Sequence, residues 1–174
     1  MTHYVAFLRA INVGGRNVGM AELRRLFTAM GFSDVASVIA SGNIVFATNT
    51  RERPEVLEGR IAAALAAALG YDVATFIRAP ADLAGIADSA FADEAGSHQV
   101  GLLKAPPDAD EAAATLALQT AQDTIALVGR EVHWLRSEPA ASKLTNGHFE
   151  RALQAQATFR SVSTLRRIAA TCGP

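Results

Sequence analysis

Two short segments hold the residue types an anion site would need. Arg9, Asn12, Gly14, Gly15 and Arg16 fall in one run, and Ser41, Gly42 and Asn43 fall in another. A Gly-rich turn leading into a helix exposes backbone N–H groups, and a nearby guanidinium adds positive charge. Together they can cradle a phosphate or a carboxylate. In such a site Arg9 would pair with the anion, Gly14 and Gly15 would donate backbone N–H bonds, and Asn12, Ser41 and Asn43 would fix its orientation. The same residues also suit ordinary turns, because glycine allows positive φ, asparagine caps turns and arginine bonds exposed carbonyls. The spacing matches neither the Walker loop nor the dinucleotide fingerprint.

The elements around these segments read clearly. Tyr4–Arg9 is a short apolar, β-prone run that predicts a strand, and Asn12–Asn17 is a Gly/Asn-rich loop. Met20, Leu23, Phe27 and Met30 recur at helical spacing, with Gly31 as the C-terminal cap. Val35–Ala40 and Ile44–Ala47 predict two strands joined at a tight Ser41-Gly42-Asn43 turn. A second helix starts near Pro54, carries Leu57, Ile61, Leu65 and Leu69 on one stripe, and ends at Gly70. Asp72–Arg78 predicts a further strand. This βαββαβ order is that of a ferredoxin-like unit. In that topology the first and second strands run parallel, which brings the loop after the first and the turn after the second to the same end of the sheet. The first and third strands carry apolar residues on both faces, so the face without helices also needs cover.

The rest of the chain repeats the theme less clearly. Helices are expected over Pro80–Ala90 and Asp110–Leu118, and a strand over His98–Lys104. Thr124–Val128 and Val132–Arg136 predict a hairpin whose first central turn residue, Gly129, suits a type II′ turn. Two helices follow, around His148–Gln156 and Ser161–Thr171. Ser161 reads as an N-cap, with Thr164 three residues on. The expected fold class is α+β: a ferredoxin-like first subdomain over 1–80, and a second α+β subdomain over 81–174 packed on it as one globular unit.

Other chemistry finds no pattern. His3, His98, His133 and His148 are scattered without metal-ligand spacing, and a single cysteine cannot build a zinc site. His133, alternating with Trp134 in a strand, reads as structural or exposed rather than catalytic. Asp108, Asp110 and Glu111 complement a helix dipole. There is no Gly-x-Ser-x-Gly elbow and no Ser-x-x-Lys. No cofactor and no metal are expected. The third strand supplies one aromatic residue and no base, so it lacks what an RNA-binding sheet requires.

The composition agrees. The chain has 174 residues, 50% of them hydrophobic, with sixteen Lys+Arg against seventeen Asp+Glu for a net charge of −1. Such a chain can bury a sizeable core, and its balance shows no basic excess for nucleic acid. The lone Cys172 points to a reducing compartment. The N-terminus shows no signal-peptide pattern. The longest apolar run, Ile61–Leu69, falls far short of the roughly 20 residues that span a bilayer. A soluble cytoplasmic protein without a membrane partner is expected. Its oligomeric state is not specified by the sequence.

Tyr4-Val5-Ala6-Phe7-Leu8-Arg9-Ala10-Ile11-Asn12-Val13-Gly14-Gly15, then Met20-Ala21-Glu22-Leu23, Gly31-Phe32 and Ser41-Gly42-Asn43, resembles the uncharacterised bacterial family called domain of unknown function 1697. Ser142-Lys143-Leu144-Thr145-Asn146 is similar to that family's Ser-Lys-Leu-Thr segment. Thr158, Arg160 and Thr164 match its Thr-x-Arg-Asn-x-x-Thr pattern, with Ser161 in place of the asparagine. The resemblance implies an α+β fold of two intertwined ferredoxin-like subdomains and no established activity. It adds Lys143, Thr145, Arg160 and Thr164 as secondary ligand candidates. The expected function is binding of a small anionic ligand, a phosphate- or carboxylate-bearing metabolite or nucleotide. The alternative is a protein-interaction or assembly module without a small-molecule site.

Overall fold

The structure is a computed structural model that describes residues 1–39 and 42–172. Among these are six helices and two four-stranded antiparallel sheets. The chain divides into two compact units, one formed by Met1–Asp82 with the chain from Ile168 onward, the other by Leu83–Arg167. None of the described helices is long and apolar enough to cross a membrane.

The first unit runs β1 (Thr2–Leu8), α1 (Met20–Ala29), β2 (Ser33–Ser37), β3 (Asn43–Thr48), α2 (Pro54–Leu69) and β4 (Thr75–Arg78). Its sheet has the order β2-β3-β1-β4. The helix signals act as the sequence predicts. Pro54 opens α2, Gly70 closes it at φ 78, and Gly31 follows α1 at φ 87. The i+4 stripe of Leu57, Ile61 and Leu65 is fully buried with Phe27, Phe46 and Ile44 in one core. Val5 and Phe7, on the other face of β1, are buried as well.

The second unit runs α3 (Asp82–Asp88), β5 (Ser97–Leu102), α4 (Ala109–Leu116), β6 (Asp123–Val128), β7 (Glu131–Arg136), α5 (Asn146–Leu153), β8 (Thr158–Ser161) and the start of α6 (Val162–Cys172). Its sheet has the order β6-β7-β5-β8. Strand by strand this is the order of the first sheet: second, third, first, fourth. Asp108 caps α4 in a capping box with Glu111. Gly129 sits at φ 57 in the two-residue turn between β6 and β7, while Arg130 stays at negative φ, as a type II′ turn requires. The fourth strand is the main element that hydrophobic patterning missed. Thr158–Ser161 is four residues long, with only Thr158 buried, and it follows directly on a helix ended by Gln154 at φ 48.

Gly101, inside β5, is there for close approach. A Cβ at this position would lie 2.6 Å from Phe159 Cζ and 2.7 Å from Cε1, because the Phe159 ring covers the glycine from β8. Gly101→Ala is expected to destabilise the fold by about 1–3 kcal/mol through overpacking, read as a lowered melting temperature.

Candidate functional site

The turn before β3 closes on the end of β1. The Leu8 N–H donates to the Gly42 carbonyl at 2.8 Å, and the Arg9 N–H donates to the Ala74 carbonyl at 2.9 Å. Gly42 has φ 79, and a Cβ on it would lie 3.2 Å from Leu8 O and 3.3 Å from Leu8 Cβ, so glycine is what lets the turn close against the end of β1. Ser41 lies outside the described residues.

The loop after β1 is pinned by one side chain. Asn12 Oδ1 accepts from the Val18 N–H at 2.8 Å, tying the start of the loop to its end. Gly14 (φ 62) and Gly15 (φ 81) stand exposed within it. The Arg16 guanidinium lies 4.8 Å over the Tyr71 ring, and Arg9 is half-buried at the base of the loop. The loop feeds α1, whose N-cap, Gly19, supplies no side-chain hydrogen bond. The first-turn N–H groups of α1 thus lack the usual side-chain acceptor.

Asn43 braces the turn itself. It is 2% exposed, and its Nδ2 donates to the Val38 and Ile39 carbonyls at 3.2 and 3.0 Å. It therefore holds the turn. Left-handed backbone is concentrated at this end of the sheet. Ala10 (φ 59), Asn12 (φ 60) and Ile39 (φ 51) join the glycines there. An alanine or isoleucine in this conformation costs on the order of 1–2 kcal/mol.

The four secondary candidates lie in the second unit. Lys143 is exposed. Thr145 is the N-cap of α5, with Oγ1 2.9 Å from His148 Nδ1, and it also lines a cavity of about 600 Å³ with Arg136, Gln99 and Trp134. Arg160 Nη1 donates to Thr158 Oγ1 and to the Phe159 carbonyl, both at 2.9 Å. Burial lowers its pKa to about 10, so it stays charged at neutral pH. The Thr164 N–H donates to Ser161 Oγ at 3.1 Å, the N-cap bond that the spacing predicts.

Residue spacing gave no sign of one pair. His98 Nε2 lies 2.9 Å from His133 Nδ1, although the residues are 35 apart in sequence. His133 pairs with Val100 across the β5–β7 ladder, and His98 stands two residues before Val100, so the two rings are diagonal neighbours on one face. Only the strand register reveals this. His133 is fully buried, and burial, with His98 beside it, lowers its pKa to about 4. The His98 pKa is lowered too, first by burial and then by Arg166. Both rings are therefore neutral near pH 7. The Cys172 thiol is pushed up by burial, which favours its protonated form.

A family model described as "Protein of unknown function (DUF1697)" matches residues 1–133. The solved structure of conserved bacterial protein SP0830 from Streptococcus pneumoniae is similar over 98% of this chain and 98% of that one. Its TM-score is 0.76 at 23% identity, a likeness of fold. No curated protein matches the chain.

Proposed function

Since the chain belongs to the DUF1697 family, whose description assigns no activity, we propose from its own residues that it binds a small anionic ligand, a phosphate- or carboxylate-bearing metabolite or nucleotide, at the loop end of the first unit. The observation that carries this reading is the left-handed backbone gathered there, with Ala10, Asn12 and Ile39 beside Gly14, Gly15 and Gly42. Non-glycine residues held in this region cluster at ligand-binding sites, where the strain is retained for function. Gly14 and Gly15 would present N–H groups to the anion. Arg9 would supply charge from the base of the loop, and the uncapped first turn of α1 would add to the positive field. Asn12 would serve as the clasp that keeps the loop in shape.

We read each four-stranded unit as ferredoxin-like. The support is the shared second-third-first-fourth strand order, with a helix in each crossover. We place the protein in the cytoplasm because a single cysteine suits a reducing compartment. No metal, cofactor, membrane or nucleic acid enters the proposal.

A thermal-shift screen of inorganic phosphate, nucleotides, sugar phosphates and small carboxylates tests it, run on wild type and Arg9→Gln together. A ligand at about 100 times its dissociation constant adds about 2.7 kcal/mol. For a chain of this length that raises the melting temperature by roughly 5–10 °C. The expected result is a shift in wild type that Arg9→Gln loses while remaining folded. A ligand that stabilises both proteins equally would remove Arg9 from the site. A chain that answers to none of them and self-associates would favour the assembly-module reading.

A further inference from the structure

The second unit contains a hydrogen-bonded series that the anion-binding reading does not use. Ser89, just after α3, places Oγ 2.9 Å from His133 Nε2, and the same hydroxyl donates to the Ile86 carbonyl at 2.9 Å. His133 in turn meets His98 at 2.9 Å. Ser89 is exposed, His133 is fully buried and His98 is half-buried. His98 lines a cavity of about 280 Å³ together with Glu94, Ser97, Ser161, Ser163 and Arg166.

One orientation of the Ser89 hydroxyl sets a consistent pair of tautomers. With the single hydroxyl proton of Ser89 on the Ile86 carbonyl, the Ser89–His133 bond is made by donation from His133 Nε2 to Ser89 Oγ. A neutral imidazole carries one N–H, which makes His133 Nδ1 the acceptor and His98 Nε2 the donor. His98 Nδ1 is then a bare lone pair on the ring nitrogen turned away from His133. Around His98 stand Arg166 of α6, Glu94 of the loop before β5, the neutral His133 of β7, and the Phe91 ring edge-on at 5.6 Å. Asp88 accepts from Arg166 Nε and Nη2 at 3.1 and 2.5 Å, and the Ala92 carbonyl takes a second Nη2 bond at 3.2 Å, so Nη1 remains for an incoming anion.

We propose that this cavity is a proton-transfer site, in which His98 Nδ1 takes an acidic C–H or O–H proton from a small carboxylate- or phosphate-bearing substrate paired with Arg166. The step balances without a co-reactant. The substrate proton bonds to His98 Nδ1, and the His98 Nε2 proton passes to His133 Nδ1. The His133 Nε2 proton passes to Ser89 Oγ, and the Ser89 hydroxyl proton leaves to water. One proton moves from substrate to solvent, and both imidazoles end neutral in the other tautomer. His98 is the catalytic base, and His133 and Ser89 are relay residues that position it and reset it.

The test uses nitrobenzisoxazole, whose ring opens when a base removes the proton on C3 of its isoxazole ring and the N–O bond breaks to give a coloured phenolate. The full chain is expected to exceed an equal concentration of free imidazole by about 100-fold or more, the low end of positioned general-base catalysis. The rate should rise with pH through the His98 ionisation, and inorganic phosphate should inhibit it competitively. His98→Gln should abolish the rate while leaving the melting temperature in place. Ser89→Ala should lower kcat without changing KM. Equal rates in wild type and His98→Gln, or no gain over free imidazole, would overturn the proposal. Imidazole nitrogen NMR on the unmutated chain gives an answer that does not depend on a variant folding. Nδ1 of His98 must be unprotonated near neutral pH, and a proton found there would overturn it equally.

Discussion

Asp123→Ala is expected to lower stability by about 3–4 kcal/mol, the range seen when a buried, hydrogen-bonded charge is lost and its partners are left unsatisfied. Asp123 is 1% exposed at the start of β6. Its Oδ1 accepts from Trp134 Nε1 at 2.8 Å and from the Ser142 hydroxyl at 2.5 Å, and its Oδ2 accepts from the Thr120 hydroxyl at 2.7 Å. Alanine would strand the indole N–H of Trp134, itself 4% exposed in the core of the second unit. It would also release the Ser142 segment that leads into α5. At roughly 2–4 °C per kcal/mol for a chain of this size, the melting temperature should fall by roughly 6–16 °C. Asp123→Asn keeps the volume and part of the bonding, so it should cost about half as much. Burial pushes the Asp123 carboxyl up, but the bonds from Ser142, Thr120 and Trp134, with Arg136 nearby, outweigh it and hold the pKa below the usual range. The contribution is therefore full above the unfolded value of 3.8 and is lost as pH falls through the lower folded value.

The second large effect falls in a higher pH window. His133 has a pKa of 6.5 when unfolded and about 4 when folded, because burial and the neighbouring His98 disfavour its charge. A lowered histidine pKa means that the unfolded chain binds the proton first. Stability is thus full above pH 6.5 and declines as pH falls toward 4. Over that span the loss is about 3 kcal/mol, since each tenfold difference in proton affinity between the two states is worth about 1.4 kcal/mol. Urea midpoints measured across the range should trace this slope in wild type. His133→Gln, which cannot titrate, should flatten it. An unchanged slope in the variant would mean that His133 is not the group that charges.

How much of this was legible in the sequence depends on how local each signal is. Pro54, Gly70, Gly31 and the Leu57-Ile61-Leu65 stripe fix their helices within a few residues, and they act as read. Gly129 is equally local, and so are the Asp108, Asp110 and Glu111 charges at the start of α4, although their capping box was not read. β8 was not legible, because Thr158–Ser161 offers four residues and little apolar content; its strand character comes from pairing with β5. The closing of the Gly42 turn on the end of β1 was legible through topology, but the bonds of the Asn43 amide were not. An asparagine that orients a ligand and one that bonds two carbonyls have the same spelling. The His98–His133 pair and the Trp134–Asp123–Ser142 cluster depend on cross-strand register and on contacts between distant segments. Spacing along one chain carries no such information.

If the Gly14–Gly15 loop receives an anion, backbone amide NMR during a titration with inorganic phosphate will report it most directly. Saturable shifts of the Gly14 and Gly15 amides, joined by residues in the first turn of α1 and weakened in Arg9→Gln, are the expected result. Loop amides that stay still while only cavity residues of the second unit, such as Ser97 and His98, respond would contradict it. The left-handed loop would then be scaffolding, and the ligand site of the protein would lie in the second unit alone.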